Sequence, residues 1–210
     1  MSFDWYSIIL GIPVFLLSLS IHEFAHGKVA DLLGDPTPRW MGRLTLDPRA
    51  HIDPFGLIVL LLTQRIGWAK PVPVNPTYFK NPRKGMLYVG LAGPLSNLTL
   101  AIMMAIILHV WRFFNYSTFG MPFSIMISIF DLIRLMLIVN VALAVFNLLP
   151  FPPLDGSRIL AGLLPSRQAY ILDYLEGNIG MMILFMLAMT GILGKIISPI
   201  IWFVIRLMGL

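Results

Sequence analysis

Cysteine is absent from the 210 residues, so the chain has neither a disulfide framework nor thiolate ligands, and any metal must take nitrogen and oxygen donors. Charge is scarce as well. Asp, Glu, Lys and Arg make up 12% of the residues against 58% hydrophobic ones, which is the balance of a polytopic membrane protein and excludes a soluble core. The net positive charge does not point to nucleic acid, because the basic residues fall in loops and form no patch interleaved with aromatics. No basic residue precedes the first apolar stretch, which carries Asp4 ahead of it and shows no small-residue cleavage site. It is therefore expected to be a retained span and not a secretory signal.

Within that stretch stands His22-Glu23-Phe24-Ala25-His26. Four residues turn a helix by about 400°, so the two imidazoles share a face one turn apart and can converge on one zinc ion, with Glu23 as base for a water at the metal. A pair of buried structural histidines is the bland alternative. The lipid-length setting favours function, because ionisable groups are costly there unless something compensates them.

Three apolar runs are long enough to cross a bilayer: residues 6 to about 29, 86 to about 111, and about 127 to 149. The region 179–208 is apolar but broken by Gly191, Gly194, Lys195 and Pro199, so it reads as one kinked helix or two segments meeting near Lys195. The expected fold is an all-α polytopic membrane protein with about four to six membrane segments. It forms one membrane-embedded domain over 1–210, with a core at about 6–162 and C-terminal segments at about 178–208. A run at 55–63 is too short to cross and is expected to be interfacial or re-entrant. Residues 68–76 alternate proline with valine and read either as a short extended or β segment at the membrane or as a rigid surface loop.

Charge placement sets the orientation. Arg39, Arg43, Arg49, Arg65, Lys70, Lys80, Arg83 and Lys84 lie in the first loop, whereas 113–123 has no Lys or Arg, so the first loop is expected in the cytoplasm. The third span ends at Asn147-Leu148-Leu149-Pro150-Phe151-Pro152-Pro153-Leu154-Asp155-Gly156, where three prolines stop the helix and a carboxylate follows at once. An Asp-Gly after prolines is commonly only a turn. Three spans of alternating direction nevertheless bring Asp155 to the same membrane side as the histidines. Two histidines and one carboxylate leave a fourth position for water, as a catalytic zinc site requires. His51 is the alternative third ligand.

Taken in order, His22 to His26, then Ala92-Gly93-Pro94-Leu95-Ser96-Asn97, then the run from Asn147 to Gly156, resemble the site-2 protease family of intramembrane zinc metalloproteases. The likeness runs from the first span to about Gly162 and is to the compact form, with no room between its spans for a PDZ or CBS domain. The resemblance implies one Zn2+ per chain held by His22, His26 and Asp155, with Glu23 as catalytic base. It also implies hydrolysis of transmembrane protein substrates near the cytoplasmic face of a prokaryotic plasma membrane, with the lipid bilayer as surrounding partner. Asn97 and Asn147 become candidate contacts to the substrate backbone or oxyanion, with interhelical hydrogen bonds as the alternative. Val72 and Val74 become candidate substrate contacts by strand addition. Two other classes stay open. A divalent-metal transporter would show ligands at several depths, whereas these cluster at one; a catalytically inactive scaffold has no need of Glu23.

Overall fold

The computed structural model describes residues 5–63, 67–113 and 122–210. Uninterrupted apolar sequence winds into α1 (Trp5–Leu32), which at 28 residues is about 42 Å long and accommodates Pro13 in its N-terminal half. Asn81 then starts α4 (Pro82–Phe113), its side-chain oxygen accepting from the Lys84 N–H at 3.1 Å while Pro82 occupies the first turn, where a missing N–H is harmless. The third long helix, α5 (Phe123–Asn147), runs up to the proline-rich turn. These three are long and apolar enough to cross a membrane.

Small residues let the helices approach. Ala101, Ala105 and Leu108 of α4 interlock with Leu137, Val141 and Val145 of α5, and Ile205 of α9 (Ile192–Leu207) closes the cluster. A second cluster joins Ala30 of α1 to Phe79 and Val89. Large apolar side chains such as Ile102, Ile106 and Ile127 face outward, where lipid would cover them.

Short elements fill the connections. Between α1 and α4 lie α2 (Thr37–Trp40), two 3-10 turns (Pro48–Ala50 and Pro76–Tyr78) and α3 (Pro54–Thr63). At ten residues α3 is too short to cross, as its sequence predicts, and its N-terminus is capped by the Asp53 carboxylate, which accepts from Phe55 and Gly56 N–H. After the proline turn, α6 (Asp155–Leu163) lies along α4, where Gly162 faces Leu87 so closely that an added Cβ would sit 2.6 Å from the Leu87 Cβ. Arg83 of α4 caps the far end of α6 by donating to the Ala161 and Leu164 carbonyls. Then α7 (Ser166–Leu175) leads into α8 (Asn178–Met189) and α9.

Two expectations are corrected. Four to six membrane segments were expected, but the described residues contain three spanning helices, or four if α8 and α9 count as one span bent by 79°. The bend falls at Thr190 and Gly191, the latter left-handed at φ 74°, and not near Lys195, while Pro199 is carried inside α9. The extended or β region is also overturned: among the described residues there is no strand, only a single antiparallel bridge between Ile52 and Ala69. Pro71 and Pro73 remove alternate N–H donors, so no ladder can propagate. Four of the remaining backbone groups bond to side chains: the Lys70 and Pro71 carbonyls to Arg43 at 2.5 and 3.0 Å, the Val72 N–H to Glu23 at 2.8 Å, and the Asn75 N–H to Asp35 at 2.7 Å. Residues 68–75 therefore form an irregular strap tied to α1 and the loop that follows it.

Leu137 is buried at the α4–α5–α9 contact, so Leu137→Ala should leave a cavity. Lipid tails are as apolar as leucine, which removes most of the transfer contribution and leaves the lost packing, so about 2 kcal/mol of destabilisation is expected, at the low end of the usual range. Unfolding in detergent micelles followed by helical circular dichroism measures it.

Candidate metal centre

His22 and His26 stand one turn apart on the inner face of α1, their rings 4.6 Å apart between centroids and nearly perpendicular. Their Nε2 atoms are 3.0 Å from each other, and Asp155 Oδ2, on the first residue of α6, lies 3.1 Å from both. All three side chains are buried. They form the one group of ligand-type side chains with metal-binding spacing among the described residues, and His51 is not in it.

The other imidazole nitrogens explain the polarity. His26 Nδ1 is 2.6 Å from the Val89 main-chain carbonyl, which can only accept, so that nitrogen carries the proton and donates. His22 Nδ1 likewise lies 2.6 Å from Asn97 Oδ1 and donates to it. Each neutral ring then turns a lone pair at Nε2 toward the carboxylate. Three electron-pair donors thus face one another at contact distance, an arrangement that needs a positive charge at its centre.

Room for that charge comes from α4. Gly93 packs directly over the ring nitrogens: a Cβ there would sit 2.4 Å from His26 Nε2 and 2.6 Å from His22 Nε2, so any side chain would fill the space a metal requires. Gly90, one turn earlier, admits the Asp155 main chain, whose carbonyl would be 3.2 Å from an added Cβ. On the α6 side, Gly156 lets the backbone fold tightly on the Leu148 and Leu149 carbonyls, both within 2.4 Å of where a Cβ would be, and this turn delivers Asp155 to the centre. The donor set of two imidazoles and a carboxylate suits zinc, and the residues fit it.

Glu23 is buried beside this group, its Oε2 accepting from the Val72 N–H. Arg158 reaches back from α6 to within 3.9 Å of Asp155 Oδ1 and to 3.5 Å from Glu176. The remaining expected residues fall in less direct places. Asn97 is wholly buried with its oxygen on His22, so in this structure it faces a ring and not an open groove. Asn147 donates to the Leu143 carbonyl one turn back. Val72 packs its side chain on Gly27 of α1, and Val74 lies against the cluster of Ala30, Phe79 and Val89. His51 is buried, with Nε2 on the Thr45 carbonyl at 2.8 Å.

Sequence reading missed Asn140, Ser18, Arg43 and Asp35, all buried and all within one or two hydrogen bonds of the site or its strap. Asn140 alone had a signal: it is an amide two helical turns before Asn147 inside a lipid-length span.

A helix-borne pair of histidines with a glutamate between them, met by a distant aspartate inside a bundle of membrane-length helices, defines a membrane zinc metalloprotease. The chain belongs to Peptidase family M50, the site-2 protease family of the resemblance, whose model matches residues 10–191. It is 43% identical over 153 residues to "Putative zinc metalloprotease YwhC" of Bacillus subtilis, covering 71% of this chain and 67% of that protein. Rip2 of Mycolicibacterium smegmatis, of the same designation, is 34% identical over 152 residues, covering 70% of this chain and 54% of its own. A zinc metalloprotease of Methanocaldococcus jannaschii is 32% identical over 130 residues, 59% of this chain and 35% of that one. The chain thus spans only about a third to two thirds of the length of these relatives. No solved structure matches it. The protein is a multi-pass membrane protein and a zinc metalloendopeptidase by family.

Gly93→Ala should weaken zinc binding at least tenfold, because the rings it would strike are pinned from behind by Asn97 and Val89. Zinc retained after dialysis against a chelator, read by elemental analysis, checks this; full retention would contradict the packing over the rings.

Proposed function

We propose that the chain hydrolyses peptide bonds in or beside transmembrane segments of membrane-protein substrates, close to the cytoplasmic face, in a prokaryotic plasma membrane. His22, His26 and Asp155 hold the zinc, and Glu23 is the general base. The observation that carries this reading is the buried triangle of two Nε2 atoms and one carboxylate oxygen, 3.0–3.1 Å on a side, with Glu23 adjacent in the chain. The catalytic core is the bundle at about 6–162, to which the C-terminal segments are packed through α9.

Zinc, when bound, supplies Lewis-acid polarisation of the scissile carbonyl and of water. The protein's own groups do the rest. Glu23 takes a proton from the attacking water and passes it to the nitrogen of the departing strand, so one water is consumed and an amine and a carboxylate result. The Val72 N–H holds one Glu23 oxygen, which leaves the other for the proton in transit. Burial keeps bulk water from competing. A helical substrate hides its carbonyls in hydrogen bonds, so it must unwind locally before the attack, and a site near the membrane surface makes that less costly than one at the bilayer centre.

A transporter reading is disfavoured because, among the described residues, ligand-type side chains gather at one place and form no series across the membrane. Glu23→Gln should lower cleavage of a single-span test substrate by about 10²–10⁴-fold while zinc stays bound, as expected for loss of a general base. Zinc chelation should abolish cleavage by the wild type. Both are read by gel analysis of product in detergent. Undiminished cleavage by the Gln variant would remove Glu23 from the mechanism.

A further inference from the structure

Behind His22 runs a polar network that the chemistry above does not use. Asn97 of α4 accepts from His22 through Oδ1, and its Nδ2 donates to Asn140 Oδ1 of α5 at 2.8 Å and to the Ser18 carbonyl of α1 at 3.3 Å. Asn140 in turn donates from Nδ2 to the Met136 carbonyl at 2.8 Å and to Ser18 Oγ at 2.9 Å. Ser18, Asn97 and Asn140 have no exposed surface, so each amide must be satisfied inside the protein.

The directions in this network are not interchangeable. A main-chain carbonyl only accepts, so the Met136 carbonyl obliges Asn140 to turn its NH2 end toward it and its oxygen toward Asn97. That oxygen, together with the Ser18 carbonyl, obliges Asn97 to present its own NH2 to them and its oxygen to His22. An amide oxygen facing Nδ1 at 2.6 Å requires a proton on that nitrogen. The lone pair is then at Nε2, on the side of His26 and Asp155. A chain of forced choices therefore leads from the α5 backbone to one ring nitrogen on α1.

We propose that Asn140, which touches neither zinc ligand, is a positioning residue: through Asn97 it locks His22 in the Nδ1–H tautomer and so presets Nε2 as a metal ligand. It also couples α5 to the metal site across two helix interfaces, so that the ligand geometry depends on the packing of three spans. His26 has no such relay, since its Nδ1 donates directly to backbone at Val89, and the dependence falls on His22 alone. Without Asn140 the Asn97 NH2 keeps only its longer bond, to the Ser18 carbonyl, so less opposes a reversal of the amide that would present NH2 to Nδ1 and turn the ring toward the wrong tautomer. Ligands whose outer hydrogen bonds are removed bind metal about 10–100-fold more weakly.

The inference rests on His22 being a zinc ligand, and the experiment separates the two. The zinc dissociation constant of Asn140→Leu is measured in detergent by competition with a chromophoric chelator, alongside wild type and the unfolding temperature of each metal-free protein. The expected result is at least about tenfold weaker zinc binding. A lowered unfolding temperature with an unchanged dissociation constant would make Asn140 merely structural and overturn the proposal. A wild type that binds no zinc would instead overturn the ligand assignment. The second readout is the 15N spectrum of labelled histidine in the metal-free wild type, which needs no variant to fold. His22 should carry its proton on Nδ1, and a bare Nδ1 would overturn the proposal whether or not zinc binds.

Discussion

Three groups that carry lone pairs are held about 3 Å apart inside the protein, and the rest of the structure follows from keeping them there. In a low-dielectric interior such an arrangement is repulsive unless a cation sits among the donors or protons are redistributed. The protein blocks the simplest redistribution by fixing one proton on each Nδ1 with an acceptor behind it. Helix α4 supplies both acceptors and, at Gly93, the space. Proline and glycine around 150–156 stop α5 and turn the chain so sharply that Asp155 arrives as the first residue of the next helix. Without a metal the centre is an electrostatic conflict; with one it is a satisfied site.

The strap from 68 to 75 solves a second problem, how to hold the buried Glu23 carboxylate in an apolar surrounding. Glu23 receives a backbone N–H, and the segment providing that N–H is fixed at one end by Arg43 and at the other by Asp35. Both are buried charges bonded to main chain, and Arg43 Nε has no hydrogen-bond partner. Burying an ion costs several kcal/mol, more than a few neutral-acceptor hydrogen bonds return. A loop merely needing stability would be better served by apolar packing, so the expense is better explained by the need to place one amide at Glu23.

The metal triad was legible in the sequence because its signals are local or topological: i, i+4 spacing puts two histidines together, and the alternation of spans puts Asp155 on the same side. The three spans were placed within a few residues of α1, α4 and α5, since lipid-length apolar runs leave little choice. The strap was not legible. Proline alternating with valine has the dihedral preferences of a strand, but what its backbone groups bond to is decided by Arg43, Glu23 and Asp35, which local pattern does not connect. Asn97 was recognised as a costly amide and read as either a substrate contact or an interhelical hydrogen bond, but its particular partner, His22, lies 75 positions away and no local pattern names it. The break in the C-terminal region lies at Gly191 because a left-handed residue ends a helix more decisively than Lys195, or Pro199 within the next helix.

The most direct test of the central claim is the zinc X-ray absorption spectrum of the purified, metal-loaded protein in detergent. The structure predicts one zinc per chain whose nearest protein ligands are two imidazoles and one carboxylate oxygen, a set available at one place among the described residues. A first coordination sphere with a single imidazole, or with three, would contradict the assembly of α1, α4 and α6 around one centre.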